Sequence, residues 1–297
     1  MHVGIAGTGK MGSAMARRLL AQGRQVSVWN RTAAAAAACV AAGARQVATA
    51  KELAQACDIV ISVVLDAVAL DAVYGGPQGL LAGAAPGKTF IEMSTVRPAV
   101  QEANAAKVAA TGAGYVECPV GGSTGPALEG KLMGFAGGSD ADVAAARPVL
   151  ELLCRRLEHL GPVGAGSAMK LAINLPLMVY WQAFGEAMGL IAHLDVDPKR
   201  VVDIFSETSG GPNMLKVRGG MIAQALAHTP SGAVTVNVAT IRKDLRTMID
   251  ETASLQRVAP LAAQALACFD RAAAAGVDTL DCTELPAWWV REGGVRQ

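Results

Sequence analysis

A parallel α/β domain followed by an all-helical domain is the architecture this sequence predicts. Three observations lead there. Up to about residue 160, short apolar runs alternate with helix-period segments, and beyond it helical periodicity takes over. Where the grammar changes, Gly161, Pro162, Gly164 and Gly166 interrupt the chain in quick succession. The length of 297 residues is that of about two ordinary domains. The expected division is therefore 1–163 and 164–297.

The apolar runs are 2–7, 25–30, 58–64, 88–93, 114–118 and 132–138. They are near-continuous rather than alternating, as in strands of a sheet covered on both faces. Helix-period segments at 10–22, 32–42, 51–56, 66–73, 98–111 and 140–153 lie between or after them. Strands alternating with helices of this length imply βαβ units and a mainly parallel sheet. The second half predicts helices over 167–194, 198–207, 237–255, 258–275 and 283–291. The first of these is apolar on every side and has to be enclosed. The remaining helices are short and alanine-rich, so a second copy of the chain is expected to complete its burial. That predicts a homodimer through the C-terminal helical domain.

Composition narrows the function. Hydrophobic residues make up 52% and charged residues 17%, ample for a packed core, whereas aromatics are only 4%. The core must then be built from Ala, Val, Leu, Ile and Met. Lys and Arg number 26 against 25 Asp and Glu, with no basic run, which argues against nucleic acid or an anionic membrane as partner. Within 171–194 the one charged residue is Glu186, but Asn174, Pro176, Gln182 and His193 interrupt the stretch and no basic cluster flanks it. This reads as a helix buried inside a soluble protein, not a membrane span. The six cysteines include no C-x-x-C, and the four histidines show no metal spacing. Reduced core thiols, no metal and, with a strand starting directly after Met1, a cytoplasmic location are expected.

The first strand runs into Gly7-Thr8-Gly9-Lys10-Met11-Gly12. Two phosphate-binding patterns compete. Read from Gly4, the run ends in Gly9-Lys10-Met11, but a P-loop needs Ser or Thr after its lysine to hold Mg²⁺. Read from Gly7 it is G-x-G-x-x-G between strand and helix, the Rossmann-type dinucleotide turn. There the first glycine permits the turn, the second lets backbone approach a pyrophosphate, and the third lets helix pack on sheet. The end of the second strand selects the cofactor. An NAD site usually carries an acidic residue there, whereas this chain has Asn30-Arg31-Thr32. Arg31 can grip a 2′-phosphate with its fork, and Thr32 either adds a hydroxyl or caps the next helix. NADP is expected, NAD less so.

Four ordered segments together resemble the β-hydroxyacid dehydrogenase family, related to semialdehyde reductases and imine reductases. They are Gly7–Gly12, Glu117-Cys118-Pro119-Val120-Gly121-Gly122-Ser123, Gly164-Ala165-Gly166 through Lys170 to Asn174, and Lys243-Asp244-Leu245. The resemblance covers essentially the whole chain and implies hydride transfer between NADP and a small β-hydroxyacid or semialdehyde. It makes Lys170 the general acid/base. Asn174, one helical turn on, holds the substrate near it. The family's two adjacent asparagines are reduced to one, with Ile173 in the first position. Its D-A-P-V-S-G-G pattern also departs here, with Glu117 for the aspartate and Gly121 for the serine that contacts the substrate's acid group. Backbone N–H groups of Gly121, Gly122 and Ser123 remain suited to a carboxylate. Val64, Leu65 and Thr95 are implied beside the cofactor, and Lys243 in the C-terminal domain close to it. A lysine opening a long apolar helix, partly desolvated, also suits proton transfer on chemical grounds. Two other readings stand beside this one: an imine reductase of the same architecture, and a non-catalytic NADP-binding sensor or interaction module.

Overall fold

The computed structural model describes residues 1–229 and 232–294. It divides into two compact units, Met1–Leu171 and Ala172–Gln297. Residues 230, 231 and 295–297 of the expected second domain lie outside the described residues.

The first unit is built on a six-stranded sheet. Its elements are β1 (His2–Ala6), α1 (Lys10–Ala21), β2 (Gln25–Trp29), α2 (Ala37–Ala41), β3 (Arg45–Gln46), α3 (Ala50–Ala56), β4 (Ile59–Ser62), α4 (Ala67–Tyr74), β5 (Thr89–Glu92), α5 (Pro98–Ala109) and β6 (Gly114–Glu117). The strand order is β3-β2-β1-β4-β5-β6, and every pairing is parallel. Successive side chains point to opposite faces. Ile59, Ile61, Ile91 and Val116 therefore meet α1 residues Met15 and Leu19 and α7 (Asp140–Leu153) residues Val143 and Val149. Val60, Phe90 and Tyr115 meet Leu53 of α3, Leu70 and Val73 of α4 and Val108 of α5. Helix starts are fixed by side chains: Thr49, Asp66 and Ser139 accept from the N–H groups of Glu52, Ala69 and Asp142. Each such cap stabilises its helix by about 1 kcal/mol.

Three further strands make a small second sheet: β7 (Val120–Gly121), β8 (Leu132–Ala136) and β9 (Cys154–His159), in the order β7-β8-β9. Helix α6 (Thr124–Glu129) joins β7 to β8, which run antiparallel, while β9 lies parallel to β8. Sequence patterning marks β8 but misses β3, β7 and β9. Two are only two residues long, and β9 is an edge strand whose Arg155 and Arg156 face solvent.

Helix α8 (Ala165–Ile191) opens in the first unit, and the division between the compact units falls within it. The second unit continues with α9 (Pro198–Ser206), α10 (Asn213–Leu226), α11 (Val238–Ser254), α12 (Pro260–Ala274) and α13 (Glu284–Trp288). Helix α10 is absent from the sequence reading because Gly219 and Gly220 sit in its middle and lower its intrinsic propensity. It forms because Leu215, Ile222, Ala223 and Ala225 are buried. Arg242 clips α11 to Asp270 of α12 and to Asp278 beyond it. Buried Asp281 accepts from the N–H groups of Thr235, Val236 and Thr283, fixing the segment that leads into α11. No helix among the described residues is long and apolar enough to cross a membrane.

Candidate active site

The glycine turn separates three steric demands. Gly7 has φ +98°, and a β-carbon on it would lie 2.3 Å from the carbonyl oxygen of Val63. On Gly12 a β-carbon would lie 1.9 Å from the oxygen of Gly7. Both glycines are required by the fold itself. Gly9 is different, since a β-carbon there would meet nothing within 4 Å. Gly9 heads α1 with no side-chain cap and no acidic residue in the first turn, so the positive end of that helix is unshielded. Beside it the Thr8 hydroxyl is buried without a hydrogen-bond partner among the described residues. Met11 packs against the core and offers no oxygen for Mg²⁺, so the P-loop reading falls. Open space, an orphan hydroxyl and an uncapped helix start fit the pyrophosphate of a dinucleotide.

At the end of β2, Asn30 is a tether. Its Oδ1 accepts from the N–H of Thr8 at 2.9 Å, and its Nδ2 donates to the carbonyl of Thr32 at 3.0 Å. The side chain thus locks the glycine turn to the residues that follow β2. Arg31 and Thr32 are exposed there. Thr32 occupies a cap position, yet its side chain makes no cap bond.

Strands β4 and β5 end side by side. The N–H of Val64 donates to Ser94 Oγ at 2.8 Å, and the N–H of Ser94 donates to Glu92 Oε1 at 2.7 Å. Ser62 Oγ donates to the other Glu92 oxygen and pairs with Tyr74 Oη at 2.8 Å. Leu65 is exposed and Thr95 half-buried at the same strand ends. Glu92 is fully buried, and burial pushes its carboxyl up to about 7, against the pull of its hydrogen bonds. The folded chain therefore keeps a proton that the unfolded chain releases near 4.5. The stability this contributes is complete below that value and is lost as pH rises through about 7. Between about pH 5 and pH 8 the melting temperature of Glu92→Gln is expected to fall less steeply than that of wild type. Parallel curves would assign the slope to other groups.

Gly121, Gly122 and Ser123 lie where β7 gives way to α6. Gly122 has φ +126°, and a β-carbon there would press on Leu132 at 2.8 Å. At Gly121 the nearest atom would be 3.6 Å away, so the family's serine has room. Ser123 heads α6 without a side-chain cap bond, leaving its hydroxyl for another partner. Lys170 is half-buried on α8, in the first unit. Asn174, four residues on along α8, and Lys243, on α11, belong to the second unit and are also half-buried.

Inside the first unit, Thr8–Asn30 and Val64–Ser94 bonds draw the glycine turn and the β2, β4 and β5 ends together. Sequence reasoning missed Ser94 and the tethering role of Asn30, and noted Glu117 without a partner. A signal for the carboxylates existed: Glu92 and Glu117 are charged residues closing strands that otherwise read as wholly buried.

Both halves of the chain match known families. Residues 2–161 match the family model described as the NAD binding domain of 6-phosphogluconate dehydrogenase. Residues 164–289 match the one described as NAD-binding of NADP-dependent 3-hydroxyisobutyrate dehydrogenase. The chain is 31% identical to 3-hydroxyisobutyrate dehydrogenase of Pseudomonas aeruginosa, over 89% of each sequence. It is 29% identical to the chloroplastic glyoxylate/succinic semialdehyde reductase 2 of Arabidopsis thaliana, over 89% of this chain and 73% of that one. Among solved structures, Psf3 in complex with NADP+ and 2-OPP is similar with a TM-score of 0.84 and 27% identity, covering 97% of this chain and 98% of that one.

Proposed function

From the premise that the chain belongs to the β-hydroxyacid dehydrogenase family and is an NAD(P)-dependent oxidoreductase, we propose that it interconverts a small β-hydroxyacid and its semialdehyde with NADP as cofactor. Gly7, Thr8, Gly9, Lys10, Met11 and Gly12 hold the pyrophosphate on the start of α1. Asn30, Arg31 and Thr32 hold the 2′-phosphorylated ribose, and Val64, Leu65 and Thr95 flank the nicotinamide half. When bound, the cofactor supplies or accepts the hydride. The protein's own part is acid–base. Lys170 donates a proton to the carbonyl oxygen as it gains alkoxide character, and takes it back from the hydroxyl in the reverse direction. Gly121, Gly122 and Ser123 bind the substrate carboxylate, and Asn174 orients the reacting oxygen. The observation that carries this reading is Lys170 on the opening turns of α8, within the same unit as the glycine turn. Initial rates on short semialdehydes, hydroxyacids and cyclic imines with NADPH and NADH test it. Imines outpacing every semialdehyde would make the protein an imine reductase. Cofactor binding with no turnover on any of them would make it a sensor.

Cofactor choice rests on Arg31. A charge-assisted contact contributes roughly 1.5–3 kcal/mol. Arg31→Ala is therefore expected to raise the KM for NADPH by about tenfold or more and to leave that for NADH nearly unchanged. Equal use of both cofactors by the wild type would overturn the assignment.

A homodimer is part of the same proposal. In one chain α8 buries Met178, Trp181, Phe184 and Met188, a single stripe at helical spacing. Ile173 remains 43% and Leu190 77% exposed. A second copy covering them accounts for a helix with apolar residues on several sides, in a chain where no helix among the described residues is long and apolar enough to cross a membrane. Light scattering at low micromolar concentration is expected to give twice the chain mass of 30.3 kDa. An active species of the single-chain mass would remove the dimer. A cytoplasmic location completes the proposal.

A further inference from the structure

Glu117 closes β6, and its carboxylate is fully buried. Oε1 accepts from the N–H of Gly164 at 2.6 Å and from the N–H of Gly166 at 2.9 Å. Oε2 accepts from the N–H of Ser167 at 3.2 Å and from the Ser167 hydroxyl. All four donors belong to the segment that opens α8, and Lys170 follows Ser167 by three residues, within one helical turn. The socket around the carboxylate is cleared by glycines. A β-carbon on Gly137 would come within 2.5 Å of Oε1. One on Gly166 would lie 2.1 Å from the carbonyl of Phe135, so the helix start is pressed against β8. Gly164 takes φ +102°, which only glycine adopts readily, to turn its N–H toward Oε1. Burial raises the carboxyl's pKa while the four donors oppose that rise.

We infer that Glu117 is a positioning residue for Lys170, its carboxylate holding the first turn of α8 at a fixed height and rotation against β6 and β8. The inference rests on the acid–base role of Lys170 proposed above. Glu117 does not touch the substrate or cofactor in this account; it acts through the helix. A carboxylate is the group that fits, because all four contacts reach it from donors. The amide of a glutamine turns its NH₂ toward one pair of donors, and that end of the helix start must then move. Displacement of a catalytic group by about 1 Å is enough to cost roughly 10²-fold in rate.

The test is a double-mutant cycle read as kcat, KM and NADPH affinity by fluorescence titration. Glu117→Gln is expected to lower kcat by about 10- to 100-fold while the NADPH dissociation constant stays within about twofold, since the glycine turn lies elsewhere in the same unit. In a Lys170→Ala background the same change is expected to cost little more, because the group it positions is already gone. Ser167→Ala, which removes the hydroxyl and keeps the three N–H donors, is expected to lower kcat by about 3- to 10-fold. Losses that multiply in the double variant, or NADPH affinity falling in step with kcat, would make Glu117 a general structural residue. Unchanged kcat in Glu117→Gln overturns the inference directly. Should that variant fail to fold, unchanged kcat in Ser167→Ala does the same. A Lys170→Ala enzyme with normal turnover removes the acid–base reading itself, and this inference with it, an outcome recognisable from that single variant alone.

Discussion

Lys170→Ala is expected to lower kcat by about 10²- to 10⁴-fold, the range for removal of a positioned acid–base group. The loss has a specific form. The glycine turn and the β2, β4 and β5 ends contain none of the atoms removed, so NADPH should bind the variant with nearly wild-type affinity. Reduction and oxidation should suffer alike, because the same group gives the proton in one direction and takes it in the other. Lys170→Arg is a sharper version of the experiment. It keeps a positive charge, but a guanidinium does not release a proton near neutral pH. An arginine variant as slow as the alanine one would locate the role in proton transfer. Recovery of most of the rate would instead locate it in charge alone. Steady-state rates in both directions decide this, and near-normal turnover in the alanine variant would take Lys170 out of the mechanism.

The second large effect contrasts two glycines of one turn. Gly9 has φ −64° and ψ −171°, a conformation valine adopts freely, and open space at its β-carbon. Gly9→Val is therefore expected to fold with an unchanged melting temperature. The added methyls occupy the place argued above for a pyrophosphate, so NADPH affinity should fall by about 10²-fold or more. Gly12→Ala reverses the pattern. Its β-carbon would sit 1.9 Å from the oxygen of Gly7, a collision within the protein itself. Overpacking of this kind costs about 1–3 kcal/mol or more, so the melting temperature should drop along with affinity. Thermal denaturation and cofactor titration of the two variants separate a glycine needed by the fold from one needed by a ligand. A Gly9→Val protein that binds NADPH normally would mean that the pyrophosphate lies elsewhere.

Much of the first unit was legible because its strands are continuous apolar runs flanked by helix periodicity. Runs such as Ile59–Ser62 and Thr89–Glu92 have no solvent-facing side and so leave an unambiguous trace. The trace fades where burial is one-sided or the element is short. β9, with Arg155, Arg156 and Glu158, reads as a polar linker because Arg155 and Arg156 face water and one residue alone is fully buried. β3 and β7 are held by neighbouring strands and not by any pattern of their own. Helix α10 contradicts local propensity through Gly219-Gly220 and is settled by packing. Within the candidate site, spacing found the glycine turn, since each glycine there answers a local steric demand. The Asn30–Thr8 tether joins residues 22 positions apart, and the Ser62–Glu92 and Val64–Ser94 bonds join residues 30 apart, so only the folded sheet brings them together. Departures from the family's pattern at Glu117 and Gly121 were visible as letters. What each does depended on the donors around one and the open space beside the other.

The placement of β1 at the middle of an all-parallel sheet has a consequence for how the chain is made. One edge of β1 pairs with β2, which follows closely, but its other edge pairs with β4, from Val3–Ile59 to Ala6–Ser62. During synthesis at about 5–20 residues per second, roughly 2–7 s pass between completion of β2 and completion of β4. Through that interval the other edge of β1 lacks its native partner, and Val3 and Ile5 await the neighbours that bury them completely in the finished protein. The nascent chain thus carries an unpaired apolar strand edge through this interval, a template for association with other chains. Slowing elongation between residues 30 and 62 should lower the soluble yield, and accelerating it there should raise it.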